Sequence, residues 1–175
     1  MPAIGVRLVC SRTGPRRLRA GHRPAGRACA EAEVVELHRL AAGLAQRTFR
    51  GRAGLGLREA VAAVVAADGL VVATPVLAAS PSEVFDSFLA VLGDTALSGM
   101  PVPLARNSSS RRRPPDLTQV MRRRLTDVHA DPVPTVVVAG PADWRATAHS
   151  DAARLRACIG QAAAGLAAAM RSHRQ

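Results

Sequence analysis

Asn107, Ser108 and Ser109 stand just ahead of Arg111, Arg112 and Arg113. Amide, hydroxyl and guanidinium groups in one short stretch can hold an oxyanion, because a guanidinium pairs bidentately with phosphate. The same stretch also suits a solvated loop. Ser80 opens the run Ser80-Pro81-Ser82-Glu83. That run is a capping box, so Ser80 is a helix cap first and a ligand contact second. Thr74 and Pro75 close an apolar run and mark the end of a strand. The five His are scattered, and Cys10, Cys29 and Cys158 show no CxxC spacing. Neither a metal site, a disulfide framework nor a catalytic triad is expected. No side chain is assigned a catalytic role.

Strands and helices alternate along the chain. Ile4–Val9 is expected as the first strand, although Arg7 interrupts it, and Val34–Leu37 as the second. A helix should begin at Ala41–Gln46. Leu57–Ala67 has Leu57, Val61, Val64 and Val65 on one helical face. Leu70–Ala73 is an uninterrupted apolar run, the mark of a strand covered on both faces. The capping box starts a helix reaching Leu92, with Val84, Phe85, Phe88 and Leu92 inward. Met100–Leu104 is the next strand, weakened by Pro101 and Pro103. Leu117–Val128 reads as helix, Thr135–Ala139 as strand, and Asp151–Ser172 as an Ala-rich helix with Leu155, Ile159 and Leu166 inward. Trp144 is expected to pack at the sheet edge, and Cys158 to lie in the core.

This alternation implies an α/β fold with a parallel sheet and helices on both faces. The length of 175 residues fits a single domain spanning 1–175. In such sheets ligands bind beyond the carboxyl ends of the strands. Three loops should occupy that edge: Cys10–Arg16, Pro75–Ser82 and Ala105–Arg113.

Hydrophobic residues make up 48% of the chain, which excludes a disordered composition. No apolar run is long enough for a membrane helix, and the first residues do not read as an export signal. A reduced, cytoplasmic protein is the expectation. The net charge of +11 raises nucleic acid as a partner. The excess is local, however. Residues 1–30 hold seven Arg and no acid, and residues 103–124 hold seven Arg and only Asp116. Neither segment interleaves aromatics with its arginines, and no DNA-reading motif accompanies them. A basic nucleic-acid-binding module is therefore the last-ranked reading.

All 24 basic residues are Arg, with no Lys and no Tyr, which points to a GC-rich gene. In such DNA a segment read out of frame also comes out rich in Arg, Pro, Gly and Ala. SRTGPRRLRAGHRPAGRACA and ARNSSSRRRPPDL have that composition.

The run AADGLVVATPVLAASPSEVFDSFLAVLGDTALSGMPV resembles the centre of the flavodoxin-like NAD(P)H-dependent FMN reductases. Thr74, Pro75, Val76, Ser80, Ser82, Phe85, Phe88 and Ala96-Leu97 stand at matching positions, and VPTVVVAGPADW resembles the family's fifth strand. The resemblance implies a three-layer sandwich with about five strands, FMN as cofactor, and NADPH or NADH as hydride donor. It places Thr74, Pro75, Val76, Leu77 and Ser80 along the flavin ring, and Asn107 and Ser108 in the loop after the fourth strand. It puts the FMN phosphate in the first loop, where Ser11 and Thr13 are the available hydroxyls. It further implies a homodimer, and transfer of reduced flavin onward, for instance to a flavin-dependent monooxygenase. The chain departs from the family at Leu77, Ala78 and the two Arg-rich segments. An inactive relic of the same fold is the alternative. The first helix would have to form within Pro15–Ala28, which contains Gly21, Pro24 and Gly26. A short or absent helix is expected there. Its loss would weaken the hold on phosphate, so that riboflavin binds nearly as well as FMN.

Overall fold

The computed structural model describes residues 7–12, 31–75, 83–107, 117–140, 143 and 149–173. Its five strands are β1 Arg7–Arg12, β2 Glu31–Glu36, β3 Gly69–Pro75, β4 Pro101–Asn107 and β5 Asp131–Ala139. Its helices are α1 Ala41–Arg50, α2 Leu55–Val65, α3 Glu83–Leu92, α4 Leu117–Asp127 and α5 His149–His173. The sheet order is β2-β1-β3-β4-β5. The α/β class, the strand number and the helices on both faces agree with the sequence reading.

One apolar row crosses every strand. Val35 pairs with Leu8, Leu8 with Val72, Val72 with Leu104, and Leu104 with Val136. Side chains directly opposite one another share a face. This row faces the core built by Leu57 and Val64 of α2, Phe85 and Phe88 of α3, and Met121 and Leu125 of α4. Each such side chain, fully buried, contributes about 1.5–3 kcal/mol.

The other face receives α5. Its contact residues are Ala162, Leu166 and Met170, spaced by four, while Ile159 is 49% exposed and Cys158 only partly buried. That corrects the expected inward placement of Ile159 and Cys158. With Ala on every side, the helix sequence does not define one apolar stripe. The sheet selects instead, and it selects the second half of the helix. Gly69 explains how α5 comes so near. A Cβ there would stand 2.8 Å from a Leu166 methyl and 3.0 Å from the Met170 sulfur.

β3, β4 and β5 run parallel. β1 runs antiparallel to both β2 and β3, so the sheet is mixed rather than wholly parallel. The expected start of β1 at Ile4 lies outside the described residues. Parallel neighbours need a crossover, usually a helix, whereas antiparallel neighbours do not. The segment between β1 and β2, with its Pro and Gly, offers no good crossover helix. The segment itself, and with it the expected first helix, lies outside the described residues, as does Trp144.

β4 extends through two prolines. Pro101 is its first residue, and the pairing with β5 shifts register between Val102 and Leu104, around Pro103. A strand's first residue and a bulge are two of the places where it tolerates proline. β5 carries Pro132 and Pro134 at the sheet edge. Arg122 of α4 reaches across to it, donating to the carbonyls of Val133 at 3.0 Å and Pro134 at 2.7 Å. Arg122→Ala should therefore cost about 1–2 kcal/mol, the usual scale for charge-assisted hydrogen bonds that are partly exposed. Urea unfolding would measure it, and an unchanged midpoint would show the clamp to be idle.

Candidate functional site

Strands β3 and β4 end side by side. Thr74 pairs with Arg106 and Pro75 with Asn107, and the rows continue into β5 as Arg106 with Val138 and Asn107 with Ala139. Alternation along the strand decides which of these point inward. Val72 and Leu104 face the core, so Thr74 and Arg106, two residues on, share that face at its rim. Thr74 is 9% exposed, and Asn107 is exposed on the alternate position.

Between this rim and the first turn of α4 lies a notch of about 200 Å3 including its open mouth. Leu104, Met121 and Val136 form its apolar part, and Thr74, Arg106 and Thr118 supply polar groups. A dry floor with a few placed polar groups is the usual make-up of a small-molecule site. The enclosed part of the notch is about 10 Å3, room for about one water, so it is a shallow rim and not an enclosed ligand pocket.

Arg106 was not among the residues singled out from the sequence. Its Nε is buried and has no hydrogen-bond partner. A buried donor left unpaired costs about 1–3 kcal/mol. The signal was present in the sequence. Val102, Leu104 and Arg106 follow the period of two, which continues the buried face onto an arginine.

The predicted site residues separate. Thr74, Pro75 and Asn107 come together at the carboxyl edge of β3 and β4. Ser11 does not join them. It pairs with Gly69, at the start of β3. Five residues divide Gly69 from Thr74, a distance of about 17 Å at the usual strand rise. Ser11 is buried there, and its carbonyl accepts the amide of Asp68 at 2.9 Å. The cause is the reversed direction of β1, which carries its exit to the opposite edge. Thr13, Val76, Leu77, Ser80 and Ser108 lie outside the described residues. After β5, Asp143 accepts the amide of Gly140 at 2.6 Å, which closes the turn at that strand's exit. Among the described residues no group of His, Cys, Asp or Glu is arranged to hold a metal ion.

A family model described as NADPH-dependent FMN reductase matches residues 11–145. Among solved structures, an oxidoreductase from Corynebacterium diphtheriae is 33% identical, with a TM-score of 0.69. The match covers 79% of this chain and 74% of that one. The apo form of an NADH:FMN oxidoreductase is 25% identical, with a TM-score of 0.60, covering 73% of this chain and 68% of that one. No curated protein matches.

Proposed function

Because this chain belongs to the NADPH-dependent FMN reductase family, we propose that it binds FMN at the carboxyl edge of β3 and β4 and reduces it with NADPH or NADH. The observation that carries this reading is the notch at that edge. Its apolar floor and the partnerless Nε of Arg106 fit the polar rim of a planar cofactor. The β1 end does not fit in the same way, because Ser11 lies about 17 Å off along the strand direction.

Thr74, Pro75 and Asn107 are the described residues assigned to flavin contact. Val76, Leu77, Ser80 and Ser108 complete the assignment from the family pattern. Ser11 is left out of it. Bound flavin supplies the hydride chemistry, and the chain's part is to hold and orient it. Pro75 stiffens the backbone at the strand exit. The parallel pair β3 and β4 fixes the rim, and Leu104, Met121 and Val136 keep its base dry. Hydride transfer between bound cofactors would need no side-chain base, and none is assigned. Onward passage of reduced flavin to a flavin-dependent monooxygenase, a homodimer and a cytoplasmic setting belong to this reading. Cys10 and Cys158 are free thiols, which suits a reducing compartment. Among the described residues no helix is long and apolar enough to cross a membrane.

The test is direct. Purified protein is titrated with FMN, following flavin fluorescence, and then supplied with NADPH, following its near-ultraviolet absorbance. Saturable binding with FMN-dependent loss of NADPH is expected. No change in either signal would overturn the reading. Binding without NADPH consumption would favour the second reading, a catalytically impaired relative. The exit of β1 on the wrong edge is the observation that speaks for it.

A further inference from the structure

We infer that Asp143 is a positioning residue of the flavin rim: it ends β5 at Ala139 and so holds Asn107, the partner of Ala139, in place at the edge of the site. The inference rests on the flavin-reductase reading for the role given to Asn107. Asp143 lies beyond β5, outside every strand and helix, yet its side chain is only 3% exposed. Aspartate is among the residues least often buried. A charge taken out of water is costly unless it is paired and hydrogen-bonded. The hydride chemistry makes no use of this carboxylate, so its burial has another cause.

Its contacts supply that cause. Oδ2 accepts the amide of Gly140 at 2.6 Å, and the amide of Asp143 donates to the carbonyl of Gly140 at 3.1 Å. One residue thus takes both backbone groups of Gly140. A hydrogen bond from a backbone amide to a carboxylate is roughly twice as strong as a neutral one. Gly140 follows directly on Ala139, and the pairing of β4 with β5 ends at Asn107 and Ala139. The carboxylate has a second attachment. Oδ1 has no hydrogen bond but lies 3.8 Å from the guanidinium of Arg154 in α5. Arg154 is 72% exposed, so that ion pair adds little by itself. The Gly140 bond is the one that fixes the turn.

Asn107 depends on this support. It is exposed and stands at the last position of its strand. On the β3 side its partner is Pro75, which brings no N–H to the ladder. The hold from β5 therefore counts for more. Without Asp143 the Gly140 amide loses its acceptor, the end of β5 loosens, and Asn107 loses its fixed place. A contact residue must be held within about 0.5 Å to act on its ligand.

The test is FMN titration of the full chain as wild type, Asp143→Ala, Asp143→Asn, Asn107→Ala and the Asp143→Ala/Asn107→Ala double variant, with thermal melting of each. Asp143→Ala should bind FMN roughly tenfold more weakly. Asp143→Asn keeps an oxygen for the Gly140 amide and should stay within about threefold of wild type. Because Asp143 acts through Asn107, the double variant should bind about as weakly as the weaker single variant. A purely structural residue would lower the melting temperature and leave the affinity of the folded protein unchanged. Folded Asp143→Ala or Asn107→Ala with wild-type affinity would overturn the inference. So would losses that multiply in the double variant, or an Asn variant as weak as the Ala variant. Should Asp143→Ala fail to fold, Asp143→Glu keeps the charge but moves the oxygen by a methylene, and should lose a similar factor. A Glu variant indistinguishable from wild type would overturn the inference equally. The two readings fail differently. A wild type that ignores FMN sinks the flavin reading and this inference with it. A wild type that binds FMN whatever stands at position 143 sinks this inference alone.

Discussion

Phe85→Ala should lower the stability of the protein by about 3–5 kcal/mol, the usual cost of truncating a fully buried aromatic. Both Phe85 and Phe88 are 0% exposed, and both sit in the core between α3 and the sheet. The loss has two parts. The ring's transfer free energy disappears, and a cavity remains, because the rigid strand row Leu8–Val72–Leu104 behind it cannot collapse inward. For a chain of this size each kcal/mol moves the melting temperature by roughly 2–4 °C, so a drop of about 6–20 °C is expected. Phe88→Leu, which keeps most of the volume, should cost no more than about 1.5 kcal/mol. Val84 and Leu92 of the same helix are only partly buried, so their truncation should cost less. Thermal unfolding by circular dichroism reads all four. A Phe85→Ala midpoint within a few degrees of wild type would mean that this layer is not packed as described.

That pair of phenylalanines was legible in the sequence because the spacing of Val84, Phe85, Phe88 and Leu92 fixed its helical phase; Ser80, Pro81 and Ser82 of the expected capping box lie outside the described residues. The parallel strands were legible for a similar reason. Leu70–Ala73 and Thr135–Ala139 are apolar without alternation, the pattern of parallel strands with helices on both faces, although β5, at the sheet edge, leaves Val138 39% exposed. β3 and β5 then appear where expected, β3 longer by one residue at its start and two at its end, β5 longer by four at its start. β4 outruns its expected end at Leu104 because hydrogen bonding to β3 begins at Leu104 and carries through Asn107.

What stayed illegible has physical causes as well. Nothing in a strand's own residues says which way it runs. Direction comes from the connection, and the residues between β1 and β2 lack the helical pattern a crossover needs. The reversal of β1 moves Ser11 from one edge of the sheet to the other without changing the strand order. β2 begins at Glu31, earlier than the apolar run at Val34, because it pairs along the full length of β1, Arg12 with Glu31 through Arg7 with Glu36. In α5 the inward face could not be read from an Ala-rich stretch. Thr74, Pro75 and Asn107, singled out from the sequence, lie together at the ends of β3 and β4. Arg106 was passed over because its charge suggested solvent, although its place in the alternation put it inward.

The second large effect concerns where the flavin sits, and one measurement decides it: FMN titration of wild type, Thr118→Trp and Ser11→Ala. Thr118 lines the notch from the first turn of α4 and is only partly buried, so an indole there can be accommodated by the helix while filling the space beside Arg106. Ser11 lies at the far edge, about 17 Å away along the strand direction. Thr118→Trp should weaken FMN binding at least tenfold, about 1.4 kcal/mol or more. Ser11→Ala should leave the affinity within about twofold, well under 1 kcal/mol. Circular dichroism of both variants would verify that each retains the fold. FMN affinity lost in Ser11→Ala and kept in Thr118→Trp would place the cofactor at the exit of β1 and contradict the site described here.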